Sequence, residues 1–205
     1  MMDESYIRAR ILFDGASNTF YSKDAALILV MKLKKDIFTY YHSMNVALLT
    51  MEFSKHLDTG IPESLAYFAG LFHDIGKIDI ESRILNKTEA LSLEEYSRIK
   101  AHTEYGPTIL SRYSASEELL LSARLHHEKC SGKGYPEGLK GREIPKIARI
   151  VNICDVYDAL VSDRPYRKAY AGDKAVRIME DSCEDFDEEY LAGFIDFLNR
   201  RERPA

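Results

Sequence analysis

Two adjacent histidines, His126 and His127, directly precede a glycine-rich loop in the segment HHEKCSGKGYP. The chain has six histidines, and three others, His42, His73 and His102, also lie at predicted helix positions or helix ends. A single histidine on an inner helix face is more often a core residue than a ligand. Five such histidines favour a shared metal site, because imidazole and carboxylate side chains from several helices bind transition metals in helical proteins.

Asp74 follows His73 directly in the sequence, and the two oxygens of its carboxylate could bridge two ions. Two metals roughly 3.5–4 Å apart can activate a bridging water and neutralise the charge on a phosphoryl group during in-line displacement. The pattern of residues therefore predicts hydrolysis of a phosphate ester.

The elements that must position these residues are predicted to be helices. Apolar residues recur with helical spacing almost throughout, and no run shows the strict alternation of a half-buried strand. Val46, Leu49, Phe53 and Leu57 form one such stripe, and its extension backward by four residues reaches His42. The sequence therefore predicts an all-α fold in which His42 faces inward.

Helix boundaries place the chemical groups near helix ends. The helix containing ESLAYFAGLFHDIGK is predicted to end at Gly76, which puts His73 and Asp74 near its C-terminal end. Serine followed three residues later by glutamate has the spacing of a capping box. This spacing occurs at Ser92 and again at Ser114, so we expect helices to start before YSRIKAH and before LLLSARLHH.

Pro145 is suited to the first turn of a further helix. On that helix, Asp155 and Asp158 share a face with Ala148 and Val151, so two carboxylates interrupt an apolar stripe. Residues 173–181 and 187–201 are predicted to form two more amphipathic helices.

Composition limits the class of protein. The chain has 205 residues, of which 45% are hydrophobic, as expected for one globular domain. The net charge of -5 argues against a protein that coats nucleic-acid polymers. Three separated cysteines fit a reducing compartment, and no apolar run is long enough to span a bilayer. We expect a cytoplasmic protein that has no membrane partner.

Several long segments resemble the signature segments of the HD-GYP phosphodiesterases. They are HDIGK at 73–77, HHEKCSGKGYP at 126–136 and DVYDALVSDRPYR at 155–167. The resemblance also includes TYYHSMNVA at 39–47, KAHTEYG at 100–106 and GREIPKIARIVNICD at 141–155, and it covers roughly residues 24–175. It implies an HD-superfamily helical bundle with a GYP loop and additional C-terminal helices. The implied activity is hydrolysis of a cyclic dinucleotide in bacterial signal transduction, with cyclic di-GMP the usual substrate and a linear dinucleotide or GMP the product.

The resemblance also implies two divalent transition-metal ions, iron or manganese. The ligands of the first would be His42, His73, Asp74 and Asp155, and those of the second would be Asp74, His102, His126 and His127. Some members of the family bind a third metal through a glutamate four residues before the first histidine. Phe38 stands at that position and cannot bind a metal, so we expect two ions.

Four residues match the family's contacts to substrate. Lys77 corresponds to the lysine at the scissile phosphate, although a solvated lysine just past a helix is the alternative. Arg164 and Arg167 correspond to arginines that contact the ligand, and guanidinium groups suit both phosphate contact and purine stacking. Solvation of a turn is the alternative for Arg164. Tyr135 would offer its hydroxyl or its ring.

The GYP loop and its neighbours supply further candidates. Gly132 and Gly134 would let the backbone pass close to the dinucleotide. Glu128 is expected to orient a metal-bound imidazole. Asp158 and Asp163 could each orient a metal ligand or contact the substrate, and for Asp163 a helix or turn cap is at least as strong an alternative. The family usually has Asp or Asn at the position of Ser131, so this loop could be held differently.

Two rival functions remain open at this stage. The chain could be an HD phosphohydrolase that acts on a nucleotide or on a mixed cyclic dinucleotide, or it could be a catalytically silent receptor for cyclic di-GMP. We expect residues 1–23 to form an extension packed on a domain of residues 24–205. A regulatory protein partner and any oligomeric state are left open by the sequence.

Overall fold

The computed structural model describes residues 23–164 and 167–201, so the predicted extension lies almost wholly outside the described residues. Within this part of the chain there are ten α-helices and no β-strand. The α-helices are α1 (Lys23–Leu33), α2 (Ile37–His56), α3 (Glu63–Phe72), α4 (Ser82–Leu85), α5 (Leu93–Lys100), α6 (His102–Ser111), α7 (Glu117–Leu125), α8 (Lys146–Val161), α9 (Gly172–Asp181) and α10 (Glu188–Arg201). Three short 3₁₀ helices span Ile75–Asp79, Gly141–Glu143 and Cys183–Asp185. The prediction of an all-α fold is confirmed.

Helices α2, α3 and α8 form the centre of the hydrophobic core. Phe53 of α2, Phe68 of α3 and Val151 of α8 are all fully buried. A Cβ atom at Gly70 would lie 2.7 Å from the Cα atom of Ala47, so α3 can approach α2 this closely only with glycine at that position. The close packing of these helices provides a rigid wall behind the candidate site.

Helix α3 ends at Phe72 rather than at Gly76 as predicted. His73 and Asp74 form the turn after α3, and the chain then continues as the 3₁₀ helix Ile75–Asp79. Gly76 serves a different purpose, since a Cβ atom there would lie 2.0 Å from the carbonyl oxygen of His102. Glycine therefore lets the start of α6 contact this turn and brings His102 beside Asp74.

One predicted capping box is confirmed and the other is wrong. The Ser92 hydroxyl accepts a hydrogen bond from the Glu95 N–H, and the Glu95 carboxylate accepts one from the Ser92 N–H. At the second position, Ser116 rather than Ser114 precedes α7, and its side chain makes no cap hydrogen bond. Ser114 has a positive φ of 52° and its N–H donates to the carbonyl of Ser111. It therefore belongs to the turn that ends α6.

Helix α8 starts at Lys146, directly after Pro145 and one residue later than predicted. Its carboxylates Asp155 and Asp158 are both buried, as the apolar stripe around them indicates. Helices α9 and α10 lie within one residue of their predicted starts. No helix of the described residues combines the length and apolar character needed to cross a bilayer.

Candidate active site

Seven side chains from five separate segments converge next to the end of α3. They come from α2, from the turn after α3, from the start of α6, from the residues after α7 and from α8: His42, His73, Asp74, His102, His126, His127 and Asp155. All except His127 are buried, and His127 is partly buried. The structure thus brings together every residue predicted to bind metal.

Asp74 lies at the centre of this convergence and is almost fully buried. Its Oδ1 atom lies 3.2 Å from Nε2 of His102 and 3.7 Å from Nε2 of His126. Its Oδ2 atom lies 3.3 Å from Nε2 of His73 and 3.8 Å from Nε2 of His42. The two oxygens of one carboxylate therefore face two different groups of histidines.

Each group has the composition of a metal site. The candidate ligand atoms lie within 4.8 Å of one another in two sets: His42, His73 and Asp155, and Asp74, His102, His126 and His127. The buried Nε2 atom of His73 and the Oδ1 atom of Asp74 make no hydrogen bond of suitable geometry among the described residues. Because buried polar atoms are nearly always satisfied, these two atoms fit ligation of a divalent cation.

Hydrogen bonds to the other ring nitrogen hold the imidazoles in place. Nδ1 of three histidines lies within hydrogen-bonding distance of a helix carbonyl oxygen: His73 at 2.6 Å from Gly70, His102 at 2.6 Å from Ile99 and His126 at 3.1 Å from Ser122. An Nδ1–H that donates to a carbonyl leaves Nε2 with its lone pair. This arrangement directs the ligand nitrogens toward the centre of the site.

Asp158 holds His42 in a corresponding way. Its Oδ2 atom lies 2.6 Å from Nδ1 of His42, and its Oδ1 atom accepts hydrogen bonds from Asn45 and Ser162. These contacts fit the orienting role considered for Asp158 rather than a direct contact with substrate. The part played by Asn45 was missed, although its position three residues after His42 on the same helix indicates that the two side chains are neighbours.

Burial keeps several imidazoles neutral. Desolvation lowers the pKa of His102 to about 3, and it also lowers the pKa of His126 and of His127. Neutral imidazole is the form that binds metals. For His42 burial acts in the same direction, but hydrogen bonds with Asp155 and Asp158 outweigh it and raise the pKa.

The two central carboxylates remain ionised despite burial. Burial alone would raise the pKa of Asp74, but the ammonium group of Lys77 and the His73 ring hold it well below its usual value. Burial opposes ionisation of Asp155 as well, and its hydrogen bond with His42 outweighs that effect and lowers its pKa. The site therefore presents two buried negative charges, and three of the imidazoles near them, those of His102, His126 and His127, are kept neutral by burial.

Lys77 and Tyr135 border the cluster. Nζ of Lys77 lies 2.5 Å from Oδ2 of Asp74, and the Tyr135 ring stacks on the His127 ring with centroids 4.8 Å apart. The ammonium group of Lys100 lies 5.5 Å from the centroid of the Tyr135 ring. Lys100 was not among the predicted residues, because nothing in its sequence context distinguishes it from a solvated lysine.

The two predicted arginines lie in different environments. Nη2 of Arg164 lies 3.1 Å from Nδ1 of His42, so this guanidinium group reaches the cluster. Arg167 instead donates to the carbonyl oxygens of Ala159 and Leu160, at the C-terminal end of α8, and to that of Lys168. In this conformation Arg167 caps a helix and does not enter the cluster.

Asp163 has the contacts of a turn cap. Its carboxylate accepts hydrogen bonds from the Ala169 N–H and from the Lys168 ammonium group. It is exposed, and these contacts agree with the turn-cap alternative rather than with an orienting role at the site.

Glu128 was expected to orient a metal-bound imidazole, but the hydrogen bonds of its carboxylate are with the backbone of the GYP loop. Its buried carboxylate accepts hydrogen bonds from the backbone N–H groups of Glu137, Gly138 and Leu139 at 2.6, 3.1 and 3.0 Å. It therefore holds the far end of the GYP loop. Sequence reasoning missed this role because the accepting and donating residues are about ten positions apart in an irregular loop.

The glycines of this loop have close neighbours within the loop itself, and their predicted approach to the dinucleotide stays a prediction. A Cβ atom at Gly134 would lie 2.4 Å from the backbone nitrogen of Lys129, and one at Gly132 would lie 2.5 Å from the Lys140 side chain. The close approach is thus between parts of the loop itself. Ser131 donates to Asp185 at 2.6 Å, so the serine at this position fastens the loop to the 3₁₀ helix Cys183–Asp185.

Replacement of Glu128 by Ala is expected to lower the free energy of unfolding by about 3 kcal/mol, because three backbone donors would lose their buried acceptor. Urea unfolding measures the change. Glu128→Gln keeps one acceptor oxygen and should lose less. Glu137→Ala removes an exposed carboxylate paired with Arg124 on the surface and should lose no more than about 1 kcal/mol, the upper range for a surface ion pair. Equal stability of Glu128→Ala and the wild type would show that the three hydrogen bonds do not hold the loop.

Comparisons with known proteins agree with this geometry. The sequence matches the HD domain family over residues 27–190. A cyclic di-GMP phosphodiesterase of Pseudomonas aeruginosa is 35% identical over 90% of this chain and 45% of its own length. A 3'3'-cGAMP-specific phosphodiesterase of Vibrio cholerae is 38% identical over 72% of this chain and 32% of its own length. The chain thus spans less than half the length of these curated relatives.

The fold also has a counterpart among solved structures. The HD domain of the phosphodiesterase PgpH of L. monocytogenes, in complex with cyclic-di-AMP, superposes with a TM-score of 0.60. The match covers 86% of this chain and 98% of that domain at 22% identity. At this level of identity the likeness concerns the fold.

Proposed function

We propose, from the premise that this chain belongs to the HD domain family, that it is a metal-dependent phosphodiesterase that hydrolyses a cyclic dinucleotide, with cyclic di-GMP as the first candidate. The observation that carries the proposal is the position of Asp74, whose two oxygens face two separate histidine groups. A bridging carboxylate of this kind is characteristic of two-metal sites that act on phosphate esters.

The residues present fit two divalent ions. Asp74 would join both sites, with His42, His73 and Asp155 completing the first and His102, His126 and His127 completing the second. Bound ions would supply a nucleophile from water at neutral pH and stabilise charge on the phosphoryl oxygens. The mixed imidazole and carboxylate donors suit iron or manganese, and Phe38 offers no atom for a third ion.

Side chains at the border of the cluster would bind and orient the phosphodiester. Lys77 lies against Asp74, where its ammonium group can stabilise negative charge on the scissile phosphate as the transition state develops. Arg164 is placed to contact a phosphate of the substrate from the side of His42. Tyr135, held against His127, offers an aromatic face to a base or ribose. Arg167 could contact the substrate only if its side chain first broke its hydrogen bonds with three backbone carbonyl oxygens.

Two kinds of relative bear on the choice of substrate. The similar protein of Pseudomonas aeruginosa is a cyclic di-GMP phosphodiesterase, and the one of Vibrio cholerae is specific for 3'3'-cGAMP. Both substrates contain at least one guanine and two phosphodiester bonds. We therefore assign cyclic di-GMP as the first candidate and 3'3'-cGAMP as the second, with the linear dinucleotide as the product of one hydrolytic step.

Hydrolysis by the full chain tests this proposal. The protein, purified without oxygen and reloaded separately with iron or manganese, is incubated with cyclic di-GMP, 3'3'-cGAMP and simple nucleotides, and products are separated by chromatography. Linear dinucleotide from either cyclic substrate supports the proposal. Hydrolysis of simple nucleotides alone would contradict the substrate class. Binding of cyclic di-GMP without product in metal-loaded protein would favour a receptor.

Replacement of Lys77 by Ala is expected to lower kcat by about 100- to 1,000-fold, the range seen when one transition-state donor is removed. Metal content measured by elemental analysis should stay at two ions per chain, because Lys77 is not among the ligands. Lys55→Ala removes a lysine paired with Glu63 on the surface and should leave kcat unchanged. A Lys77→Ala enzyme with wild-type kcat would remove this lysine from the chemistry.

A further inference from the structure

A cavity of about 370 Å³ lies beside the candidate active site. Lys77 and Arg164, the two cations proposed to contact phosphate, line it, as do residues of the connection between α4 and α5. Its volume falls in the range of small-ligand sites. A group attached to a phosphate held by these cations would extend into this cavity.

The lining of the cavity also includes a polar pair, Asp36 and Asn86. The carboxylate of Asp36 caps α2 by accepting a hydrogen bond from the Thr39 N–H at 2.8 Å, and its other oxygen accepts one from the Asn86 amide at 3.1 Å. Both residues line the cavity. Each carboxylate oxygen can accept a second hydrogen bond, and the Asn86 side chain is exposed, so it can turn away when a ligand enters.

Apolar and aromatic groups complete the lining. Phe38 borders the cavity and is 45% exposed, so its side chain is accessible for stacking. Ile84, Leu85 and Ile99 add apolar surface. An aromatic face next to a carboxylate edge and an apolar wall suits a flat heterocycle with N–H donors on its rim.

We propose that this cavity is the subsite for one base of the substrate and that Asp36 selects guanine there, with Phe38 as the stacking surface. This inference rests on the proposed function, since it assumes a cyclic dinucleotide whose phosphate lies at Lys77. Asp36 is then a specificity-determining residue that lies outside the group of metal ligands.

The preference for guanine follows from the hydrogen-bonding edges of the two purines. Guanine presents two adjacent donors, N1–H and N2–H, to the two oxygens of a carboxylate. Adenine presents one donor, N6–H, beside the acceptor N1, which would face the second oxygen and repel it. A binding site discriminates against a ligand of nearly the same shape when that ligand leaves a polar group of the site unpaired or repels it. Burial alone would raise the pKa of Asp36. The hydrogen bonds from Thr39 and Asn86, together with the positive charge of Lys77, outweigh that effect and lower the pKa, so the carboxylate is ionised.

Equilibrium binding to metal-free full chain tests the inference without turnover. The probes are cyclic di-GMP, cyclic di-AMP and cyclic di-IMP, whose hypoxanthine bases lack only the 2-amino group of guanine. For the wild type we expect cyclic di-GMP to bind about 10-fold or more tightly than either other probe. For Asp36→Asn the preference over cyclic di-AMP should fall to about 3-fold or less, because an amide presents one acceptor in place of two. Asparagine is also a good N-cap, so α2 should stay intact.

Two further variants serve as controls. Phe38→Ala should weaken binding of cyclic di-GMP and cyclic di-AMP about equally, by roughly 10-fold through lost stacking. Glu81→Gln removes a charge from an exposed carboxylate outside the cavity wall, paired with Arg83 and Arg98, and should leave the base preference unchanged.

The outcomes separate this inference from the proposed function. Equal binding of cyclic di-GMP, cyclic di-IMP and cyclic di-AMP by the wild type would overturn the base subsite while leaving a cyclic-dinucleotide enzyme in place. An unchanged preference in Asp36→Asn would remove Asp36 as the selecting residue. Absence of binding by every cyclic dinucleotide to both the metal-free and the metal-loaded chain would instead contradict the proposed function.

Discussion

Replacement of Asp74 by Ala is expected to abolish hydrolysis of the cyclic dinucleotide, with a loss in kcat of more than about 1,000-fold. The reason is geometric, because each oxygen of Asp74 lies within 3.8 Å of two imidazole nitrogens of a different histidine group. Asp155 contacts the second group less closely, since its Oδ2 atom lies 3.9 Å from Nδ1 of His127. Metal content should fall below two ions per chain at the same time. Product formation measured by chromatography and metal content measured by elemental analysis together check this prediction.

A matched variant separates the role of Asp74 from a general effect of charge. Asp79 is exposed and lies five residues further along the same segment. Asp79→Ala should retain wild-type kcat and two ions. Full activity of Asp74→Ala would refute the two-metal mechanism, whereas loss of activity with both ions retained would mean that the carboxylate acts on the substrate rather than on the ions.

Removal of metal is expected to produce the second large effect, a fall in the melting temperature of about 5–10 °C. An ion present at about 100 times its Kd stabilises the native state by about 2.7 kcal/mol, and about 2–4 °C accompanies each kcal/mol in a chain of this size. The buried charges of Asp74 and Asp155 provide the physical reason, since bound cations neutralise them. Thermal unfolding with chelator and after reloading with manganese measures the difference.

The same measurement on Asp74→Ala provides the control. This variant lacks the bridging carboxylate, so manganese should raise its melting temperature by no more than about 2 °C, the effect of a weakened site. Asp79→Ala should show the full shift. An equal shift in all three proteins would place the stabilising ion elsewhere in the chain.

The residues of the candidate site could be predicted from the sequence because buried histidine and aspartate side chains have few possible roles. Histidine and aspartate on otherwise apolar helix faces, such as His42 and Asp155, have few reasons to be buried except ligation or mutual pairing. Their spacing along helices also fixes the face on which they lie. The resemblance to the HD-GYP family then indicated which of these segments contribute to the same site.

Other roles depend on contacts that the sequence does not encode locally. Glu128 and the amides that it binds lie in an irregular loop, where no periodicity predicts which groups meet. Asp36 and Asn86 are 50 positions apart, and each has a common local explanation, as a helix cap and as a turn residue. Ser114 and Ser116 are chemically equivalent candidates for one cap, so packing rather than local chemistry decides between them.

The hold of Glu128 on the GYP loop has a consequence for molecular recognition. A loop with three buried backbone hydrogen bonds loses its conformational entropy when the protein folds rather than when a ligand arrives. Ordering such a segment at the moment of association would subtract from the affinity. The Tyr135 side of the cleft is thus preorganised, and encounter with a ligand requires no folding of this loop.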